Sequence, residues 1–309
     1  MVDLEALKRA LHAHGKVVRV VIAGVKGSTP REVGAAMIVS REGLVSGTIG
    51  GGTLEHEAIT KARHLSAPVV DNRALGPDLG QCCGGAVTLV YDRFDTMPDV
   101  QNGLILRRIT GTNEAPLALR RKLAEARNGN LETGTQLIDG WLIEPVQTPT
   151  TPLWVWGAGH VGRAMVTTAA PLPDLDIKWI DTSPDRFPER APESVTVLPA
   201  ARPERLVAHA PANASHLILT YSHALDLALC DALLRHDFAF AGLIGSRSKW
   251  ARFRHRLSAA GHSSARIDSI TCPIGDPSMG KHPQEIAIST LWALKTQMAR
   301  QDALRDMTG

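Results

Sequence analysis

Two adjacent cysteines form the most unusual pattern in the chain, the stretch QCCGG that contains Gln81, Cys82 and Cys83. Adjacent cysteines close a strained ring when they are oxidised, so a structural disulfide is a poor explanation. Thiolates flanked by glycine can approach a soft metal without steric hindrance, or take part in sulfur chemistry. The simpler alternative is a pair of small buried residues beside a strand. Zinc is disfavoured because no second cysteine or histidine pair stands at ligand spacing.

A run of three glycines joins a predicted strand to a predicted helix: Gly50, Gly51 and Gly52. Consecutive glycines expose their backbone N–H groups, which form a natural cradle for a phosphate or an oxyanion. The alternative is a tight strand-to-helix connection that requires positive φ. Glu55 falls in the first turn of the helix, where capping alone explains a carboxylate. Ser28 and Arg31, in another turn, offer polar and cationic contacts.

The second half of the chain contains a glycine fingerprint, GAGHVG, directly after the apolar segment Leu153 to Trp156. In a dinucleotide-binding turn, Gly157 permits the tight turn, Gly159 lets a phosphate approach the backbone, and Gly162 lets the helix pack closely. Asp181 ends the next predicted strand, at the spacing of a ribose-binding carboxylate. The alternative is a Rossmann scaffold that has kept its turn and binds no nucleotide.

Further candidates follow later strands, because the ligands of parallel sheets sit at the carboxyl ends of the strands. His223 follows the fourth strand, where a hydrogen-bonded loop histidine is the simpler interpretation. Ser246 and Arg247 follow the fifth strand and Lys249 comes soon after; Arg247 and Lys249 could reach a phosphate. The other basic residues of this helix (RSKWARFRHRL) are expected to form a solvated face. The rest of the chain supplies no basic surface that would match nucleic acid.

Two different patterns of secondary structure position these motifs. In the first half, segments rich in β-branched residues predict strands at 16–25, 35–40, 44–48, 69–75 and 86–91, with helices at 53–65 and 118–127. Asp139-Gly140 marks a hairpin between 136–138 and 141–143. In the second half, short apolar strands alternate with helices, at 153–156, 177–180, 195–198, 217–221 and 238–244, and a long helix at 283–300 closes the chain. This alternation predicts a parallel sheet covered by helices.

The Pro/Thr-rich segment 147–152 (QTPTTP) separates the two patterns and predicts a domain boundary. We therefore expect an α/β protein with two domains, a number that suits 309 residues. Residues 1–146 form a mixed α/β domain that contains the Cys-Cys loop. Residues 153–309 form a Rossmann-like domain with a doubly wound parallel sheet.

The composition predicts a cytoplasmic protein without membrane or nucleic-acid contacts. Hydrophobic residues make up 44% of the chain and its net charge is +3, which implies neither disorder nor a polyanionic partner. No stretch approaches the roughly 20 apolar residues that cross a bilayer. The N-terminus predicts an amphipathic helix capped by Asp3 and stopped by Gly15, not a secretory signal. In a reducing compartment Cys230 and Cys272 remain thiols, and Cys230 is expected to be buried.

Taken together, these stretches resemble the XdhC/CoxI family of molybdenum-cofactor maturation proteins. The resemblance lies in GSTPREVGAAMIV, GTIGGGTLE and QCCGG in the first half, and in WGAGHVG, TYSHALD and GLIGSRSKW in the second. It covers nearly the whole chain. It implies a chaperone that binds the molybdenum cofactor, supports its sulfuration and delivers it to apo-xanthine dehydrogenase or a related molybdenum hydroxylase.

The resemblance also implies roles for individual residues and partners. It makes Cys82 and Cys83 the prime candidates for holding molybdenum or its neighbouring sulfur, and Gly50 to Gly52 candidates for the pterin phosphate. The implied partners are the hydroxylase, a cysteine desulfurase and a second copy in a homodimer, and such a maturation factor need not be an enzyme. Two alternatives remain, an NAD(P)-dependent oxidoreductase that uses the Rossmann domain and a nucleotide-sensing regulatory module. Both place a nucleotide in the Rossmann crevice.

Overall fold

The computed structural model describes residues 1–76, 84–127, 134–146 and 151–308. The chain divides into two compact units, Met1–Gln147 and Thr148–Gly309, each with its own sheets and cores. Among the helices of the described ranges, none combines the length and the apolar character that a bilayer-spanning segment requires.

The described part of the N-terminal unit contains two antiparallel sheets. The large sheet has the strand order β3-β2-β1-β5-β4, and the small sheet has the order β6-β7-β9-β8. The strands are β1 (Val17–Lys26), β2 (Ala36–Val39), β3 (Leu44–Gly47), β4 (Val69–Ala74), β5 (Ala86–Phe94), β6 (Val100–Gln101), β7 (Leu104–Arg108), β8 (Gln136–Ile138) and β9 (Trp141–Pro145). The helices are α1 (Leu4–His14), α2 (Gly52–Arg63) and α3 (Leu117–Arg127).

Strand β1 lies at the centre of the large sheet, and its residues Val17 to Ile22 are buried. Val20 and Ile22 pack in one core with Leu54 of α2, whereas Val21 packs on the other face with Leu142 of β9. A strand covered on both sides needs apolar residues at successive positions, which explains the nearly continuous apolar run of β1. Helix α2 and the small sheet therefore cover opposite faces of the large sheet.

Helix α1 has the boundaries that its sequence predicts. The Asp3 side chain accepts a hydrogen bond of 2.9 Å from the Ala6 N–H, and Gly15 ends the helix with a φ of 70°. The Asp3 carboxylate just before the helix and the left-handed Gly15 just after it satisfy backbone groups that the helix itself leaves unpaired.

The C-terminal unit is built on six parallel strands in the order β12-β11-β10-β13-β14-β15. Numbered from β10, this is the order 3-2-1-4-5-6 of a doubly wound sheet, which confirms the predicted fold class. The strands are β10 (Thr151–Trp156), β11 (Leu175–Asp181), β12 (Val195–Pro199), β13 (Ser215–Ile218), β14 (Phe240–Leu243) and β15 (Ile270–Thr271). The helices are α4 (His160–Ala169), α5 (His223–Leu234), α6 (Arg247–Ala259), α7 (Ser264–Ile267) and α8 (Pro283–Thr308).

Helices cover both faces of this sheet. Leu153 and Val155 of β10 belong to the core that contains α4 and α8, whereas Trp154 and Trp156 belong to the core that contains α5 and α6. As a result, the carboxyl ends of β10, β13 and β14 lead into α4, α5 and α6 at one edge of the sheet. Ligands of doubly wound sheets bind at this edge.

Three strands of the structure were not predicted, namely β6, β7 and β15. Two of them are only two residues long, too short for alternation to be visible. Strand β7 (LILRR) has apolar residues at one end and arginines at the other, so its pattern has no clear period. The closing helix α8 also extends to Thr308, beyond the expected end at 300.

Candidate functional site

Three glycine-containing stretches of the N-terminal unit meet at one end of the large sheet. A Cβ added to Gly85 would overlap the carbonyl oxygens of Lys26 and Ser28, so the backbones of these two segments are in direct contact. A Cβ added to Gly50 would lie 2.7 Å from Pro30 Cγ. The turn that contains Ser28 therefore packs against Gly85 on one side and against the triple glycine on the other.

The cysteine pair comes shortly before this meeting point in the sequence. Gln81, Cys82 and Cys83 lie outside the described residues, and Gly84 and Gly85 follow them directly in the sequence. The Gly85 carbonyl accepts a 2.7 Å hydrogen bond from the Leu75 N–H. Gly85 is thus held between the residue that follows β4 and the turn that contains Ser28.

The triple glycine already holds an anion from its own chain. Glu55 Oε2 accepts hydrogen bonds from the N–H groups of Ile49 (2.9 Å) and Gly51 (3.2 Å), and from the Thr48 hydroxyl. The Gly50 N–H donates to Thr48 Oγ1 at 3.1 Å. Partial burial acts to raise the pKa of Glu55, but these hydrogen bonds outweigh it and the pKa is lowered. In this conformation the predicted phosphate cradle is occupied by the Glu55 carboxylate.

Arg31 lies beside the triple glycine, since a Cβ added to Gly50 would lie 3.6 Å from Arg31 Cγ, and Ser28 belongs to the same turn. Ser28 is exposed. The Arg31 guanidinium donates to both Glu32 oxygens at 3.1 and 2.9 Å, and this pairing lowers the pKa of Glu32 to about 2. The Arg31 side chain is 38% exposed and that of Glu32 is 68% exposed, so a bound anion can compete for Arg31 at little cost.

In the C-terminal unit, the glycine fingerprint forms the turn from β10 into α4. Gly157 has a φ of 118°, and a Cβ added to it would lie 2.5 Å from the Leu219 carbonyl oxygen. A Cβ on Gly162 would overlap the Gly157 carbonyl oxygen, so the helix packs closely on the turn. Gly159 has open space around it and caps α4 without a side chain. The first N–H groups of α4 therefore face no capping side chain.

Asp181, which the sequence predicts to bind a ribose, holds the glycine turn with its carboxylate. Oδ2 accepts a 2.6 Å hydrogen bond from the Ala158 N–H, and Oδ1 accepts one of 2.6 Å from the Thr182 N–H. The residue is 3% exposed. Through these bonds Asp181 positions the glycine turn.

Lys249 was predicted to reach a phosphate, but it lies in a buried ion pair. Its Nζ donates to Asp226 Oδ2 at 2.5 Å and to the Ile244 carbonyl at 2.9 Å. The other Asp226 oxygen accepts a 2.7 Å bond from the Thr220 hydroxyl. A Cβ on Gly245 would lie 2.7 Å from Lys249 Cδ, so this glycine makes room for the lysine to fold back.

The sequence interpretation missed Thr220 and Asp226, which complete this network. An aspartate between Leu225 and Leu227 in an apolar helix is a signal that could have revealed it, because a buried carboxylate needs a cationic partner.

The sequence interpretation also missed Arg186. Its guanidinium stacks on the ring of the exposed Tyr221, 4.3 Å from the ring centre.

The other three candidates lie near the carboxyl ends of the strands. Ser246 caps α6 and accepts a 3.1 Å bond from the Lys249 N–H. Arg247 and His223 are the first residues of α6 and α5, and both are exposed. Arg247 and His223 are thus open to solvent at the edge where the strands end, and Ser246 caps α6.

The two described cysteines are inert thiols. Cys230 is fully buried, as predicted, and burial raises its pKa. Burial also raises the pKa of the half-buried Cys272, to about 11. Thiols of this kind are neutral at cellular pH and are poor metal ligands. Within the described ranges, no three histidine, cysteine, aspartate or glutamate side chains come together as a metal site.

Two family models match the chain. Residues 10–68 match the model described as the XdhC and CoxI family, and residues 153–292 match the model described as the XdhC Rossmann domain. The triple glycine lies within the first match and the glycine fingerprint within the second. The cysteine pair lies between the two matched segments.

Two known proteins resemble the chain over most of its length. A protein of Escherichia coli (strain K12), named "Uncharacterized protein YqeB", is 27% identical over 280 residues, which cover 87% of this chain and 41% of that protein. The chain therefore spans about two fifths of the length of this relative. The crystal structure of a xanthine dehydrogenase from Bacillus halodurans has a TM-score of 0.68 at 18% identity, over 97% of this chain and 96% of that one. At this identity, the similarity shows a shared fold.

Proposed function

The chain belongs to the XdhC and CoxI family, and from that membership we propose that it is a carrier for the molybdenum cofactor. Membership supports a role in xanthine dehydrogenase maturation. The finer proposal is that the protein binds the cofactor, protects it, supports its sulfuration and delivers it to apo-xanthine dehydrogenase or a related molybdenum hydroxylase. It is a maturation factor and not an enzyme in this proposal.

The observation that carries the proposal is the contact between Gly85 and the Ser28 turn, which also packs against Gly50. It gathers the three N-terminal signature stretches at one end of a sheet, with Cys82 and Cys83 just before Gly84 in the chain. We propose that these two cysteines supply thiolates to molybdenum or to its neighbouring sulfur. Thiolates suit a soft metal, and they exchange with other ligands, as a carrier requires.

The cargo explains why such a carrier is needed. A molybdenum dithiolene is sensitive to oxygen, and its site in the target enzyme is buried once that enzyme has folded. The carrier must bind tightly enough to shield the cofactor and must release it on meeting its partner. In our proposal these events take place in the cytoplasm, a cysteine desulfurase supplies the sulfur, and the carrier is a homodimer.

The test is to purify the protein from a host that makes the cofactor and to measure bound molybdenum and pterin. The Cys82→Ala/Cys83→Ala variant should lose molybdenum while its thermal unfolding is unchanged. Cys272→Ala is the matched control, because this thiol is half-buried and neutral, and it should retain the metal. Equal molybdenum content in the double variant and the wild type would remove the cysteine pair from the site.

We further propose that the C-terminal unit binds a nucleotide without turning it over. The strand order, the uncapped start of α4 and the exposed Arg247 support an anion at this edge of the sheet. A nicotinamide-dependent oxidoreductase is the alternative, and it differs from this proposal in requiring hydride transfer to a substrate. Calorimetry with NAD(H) and NADP(H) at millimolar concentration tests binding, and a spectrophotometric assay for hydride transfer separates the two roles.

A further inference from the structure

An open depression of about 510 Å³ lies in the N-terminal unit, where β1 and β4 end and β5 begins. Gly24, Lys26, Asn72, Ala86 and Thr88 are part of its lining. We propose that this depression seats the pterin of the carried cofactor, with Lys26 beside the phosphate. The inference rests on the carrier function proposed above and assigns the part of the cofactor that the cysteines do not hold.

The depression opens on the face of the large sheet opposite α2. Thr88 pairs directly with Gly24 on one side and with Asn72 on the other, and directly paired residues share a face. Val90, two residues further along β5, is on the same face and packs with Leu142 of the small sheet. The small sheet thus covers this face at Val90, whereas Asn72 is exposed.

The lining suits a flat, polar heterocycle. Gly24 and Ala86 have little or no side chain, so a ring system can lie directly on the strands. The Thr88 hydroxyl and the Asn72 amide, joined by a 2.8 Å hydrogen bond, offer donors and acceptors of the kind that the edge of a pterin carries. The volume of the depression falls within the range of about 300–1,000 Å³ that is typical of small-molecule sites.

The depression adjoins the meeting point of the signature stretches. Lys26, which lines it, contacts Gly85 through its carbonyl oxygen, and Ala86 is the next residue. A cofactor held here by its pterin would therefore have its other end close to the residues that follow the cysteine pair in the chain.

The phosphate needs a partner other than the triple glycine. Glu55 already accepts hydrogen bonds from the backbone of that turn, so a phosphate there would have to displace a carboxylate. Lys26 is exposed, and among the described carboxylates none forms an ion pair with it. An ammonium group at the rim of the depression can take the phosphate without breaking an existing ion pair.

The experiment is a fluorescence titration of the purified chain with 6-hydroxymethylpterin and with its phosphate monoester. The wild type should bind both and bind the ester more tightly. Gly24→Val should weaken the binding of both at least about tenfold, because its methyl groups fill the floor of the depression. Its backbone tolerates a side chain, since φ lies outside the left-handed region and a Cβ would lie 3.4 Å from Thr88.

The Lys26→Gln variant separates the contribution of the lysine charge to pterin binding from the contribution of the shape of the depression. It should weaken the ester about fivefold to tenfold and leave the alcohol within about twofold. The matched control is Lys16→Gln, which replaces an exposed lysine at the opposite end of β1. Ser46→Val, on the exposed strand β3, is the control for a valine introduced into the same sheet. If Gly24→Val fails to fold, as judged by circular dichroism, Ala86→Val fills the same floor.

The outcomes distinguish the seat from the carrier function. If the wild type and a folded Gly24→Val variant bind both pterins with equal affinity, the pterin does not bind in this depression. This conclusion holds even if the purified protein retains molybdenum, in which case the carrier function stands. Pterin binding that survives the loss of both cysteines but is lost in Gly24→Val supports the seat. The same result with a wild type that never retains molybdenum rejects the carrier function and, with it, the assignment of this pterin site to a carried cofactor.

Discussion

The Nζ of Lys249 lies 2.5 Å from Oδ2 of Asp226, and both side chains are almost fully buried. The pair links the start of α6 to the start of α5, at the edge where the strands of the C-terminal unit end. The hydroxyl and the N–H of Thr220 also donate to Asp226, and the Ile244 carbonyl accepts a second bond from Lys249. Two motifs that are distant in the sequence, TYSHALD and GLIGSRSKW, thus form one buried polar network.

Lys249→Met should strongly destabilise the protein because it leaves the Asp226 carboxylate buried without a cation. We expect the free energy of unfolding in urea to fall by about 3–5 kcal/mol. Arg247→Met, an exposed arginine in the same turn of α6, should change it by less than about 0.5 kcal/mol. The double variant Lys249→Met/Asp226→Leu should recover part of the loss. A single variant as stable as the control would show that the ion pair does not form in solution.

Glu55→Gln should reduce stability in a pH-dependent manner. The fold lowers the pKa of this carboxyl, so its contribution is present above the ordinary value of 4.5 and is lost as the pH falls through the lowered value. We expect the variant to be less stable by about 1 kcal/mol at pH 7, with the difference narrowing below pH 4.5. Urea unfolding at several pH values measures this. Glu5→Gln, an acidic residue in the first turn of α1, should give a difference that stays small at every pH.

His216 should make the C-terminal unit sensitive to acid. Burial and the neighbouring His236 lower its pKa to about 3, and the Trp156 indole N–H donates to its Nδ1 at 3.2 Å. The unfolded chain takes up this proton near pH 6.5, so stability should fall as the pH drops from 6.5 towards 3. The slope from this group is at most about 1.4 kcal/mol per pH unit.

The variant His216→Phe tests this assignment. It removes the titrating group and leaves the Trp156 N–H without its acceptor, so it should be less stable at pH 7 by about 1–3 kcal/mol. Its unfolding free energy should nevertheless depend less on pH between 4.5 and 6.5 than that of the wild type. Parallel pH profiles for the two proteins would mean that another group is responsible for the acid sensitivity.

The elements that position the candidate sites could be predicted from local patterns. The apolar segment before GAGHVG predicts a strand and the glycines predict a close turn into a helix, and the structure has β10 and α4 there. Such patterns are readable because burial on both faces of a parallel sheet imposes short, continuous apolar runs.

The partners of charged residues could not be predicted in the same way. Asp181 and Lys249 stand at chain positions where a ligand-binding residue is expected, yet each is joined to a group 23 residues away, Ala158 and Asp226 respectively. The spacing of a motif fixes the position of a residue in the chain. The surrounding packing decides whether its side chain faces a crevice or a neighbouring group. The contact of Gly85 with Ser28 is a similar case, since neither residue indicates the other in the sequence.

The contact of Gly85 with Ser28 can be tested by comparing the same substitution at two neighbouring glycines, Gly84 and Gly85. Gly85→Ala would place a methyl group against the carbonyl oxygens of Lys26 and Ser28, whereas a Cβ on Gly84 meets no atom within 4 Å. We expect Gly85→Ala to lower the free energy of unfolding by about 1–3 kcal/mol, because backbone must move to accommodate the methyl group. Gly84→Ala should be nearly neutral.

The Gly84→Ala and Gly85→Ala variants also test whether the contact between the three glycine-containing stretches is needed to retain the molybdenum cofactor. If the end of the cysteine loop must lie against the Ser28 turn, Gly85→Ala should reduce the molybdenum retained by protein from a cofactor-producing host, and Gly84→Ala should not. Metal analysis at a temperature well below the unfolding midpoint of both variants separates this effect from general instability. Equal retention in the two variants would show that the Gly85–Ser28 contact stabilises the fold without positioning the loop for its ligand.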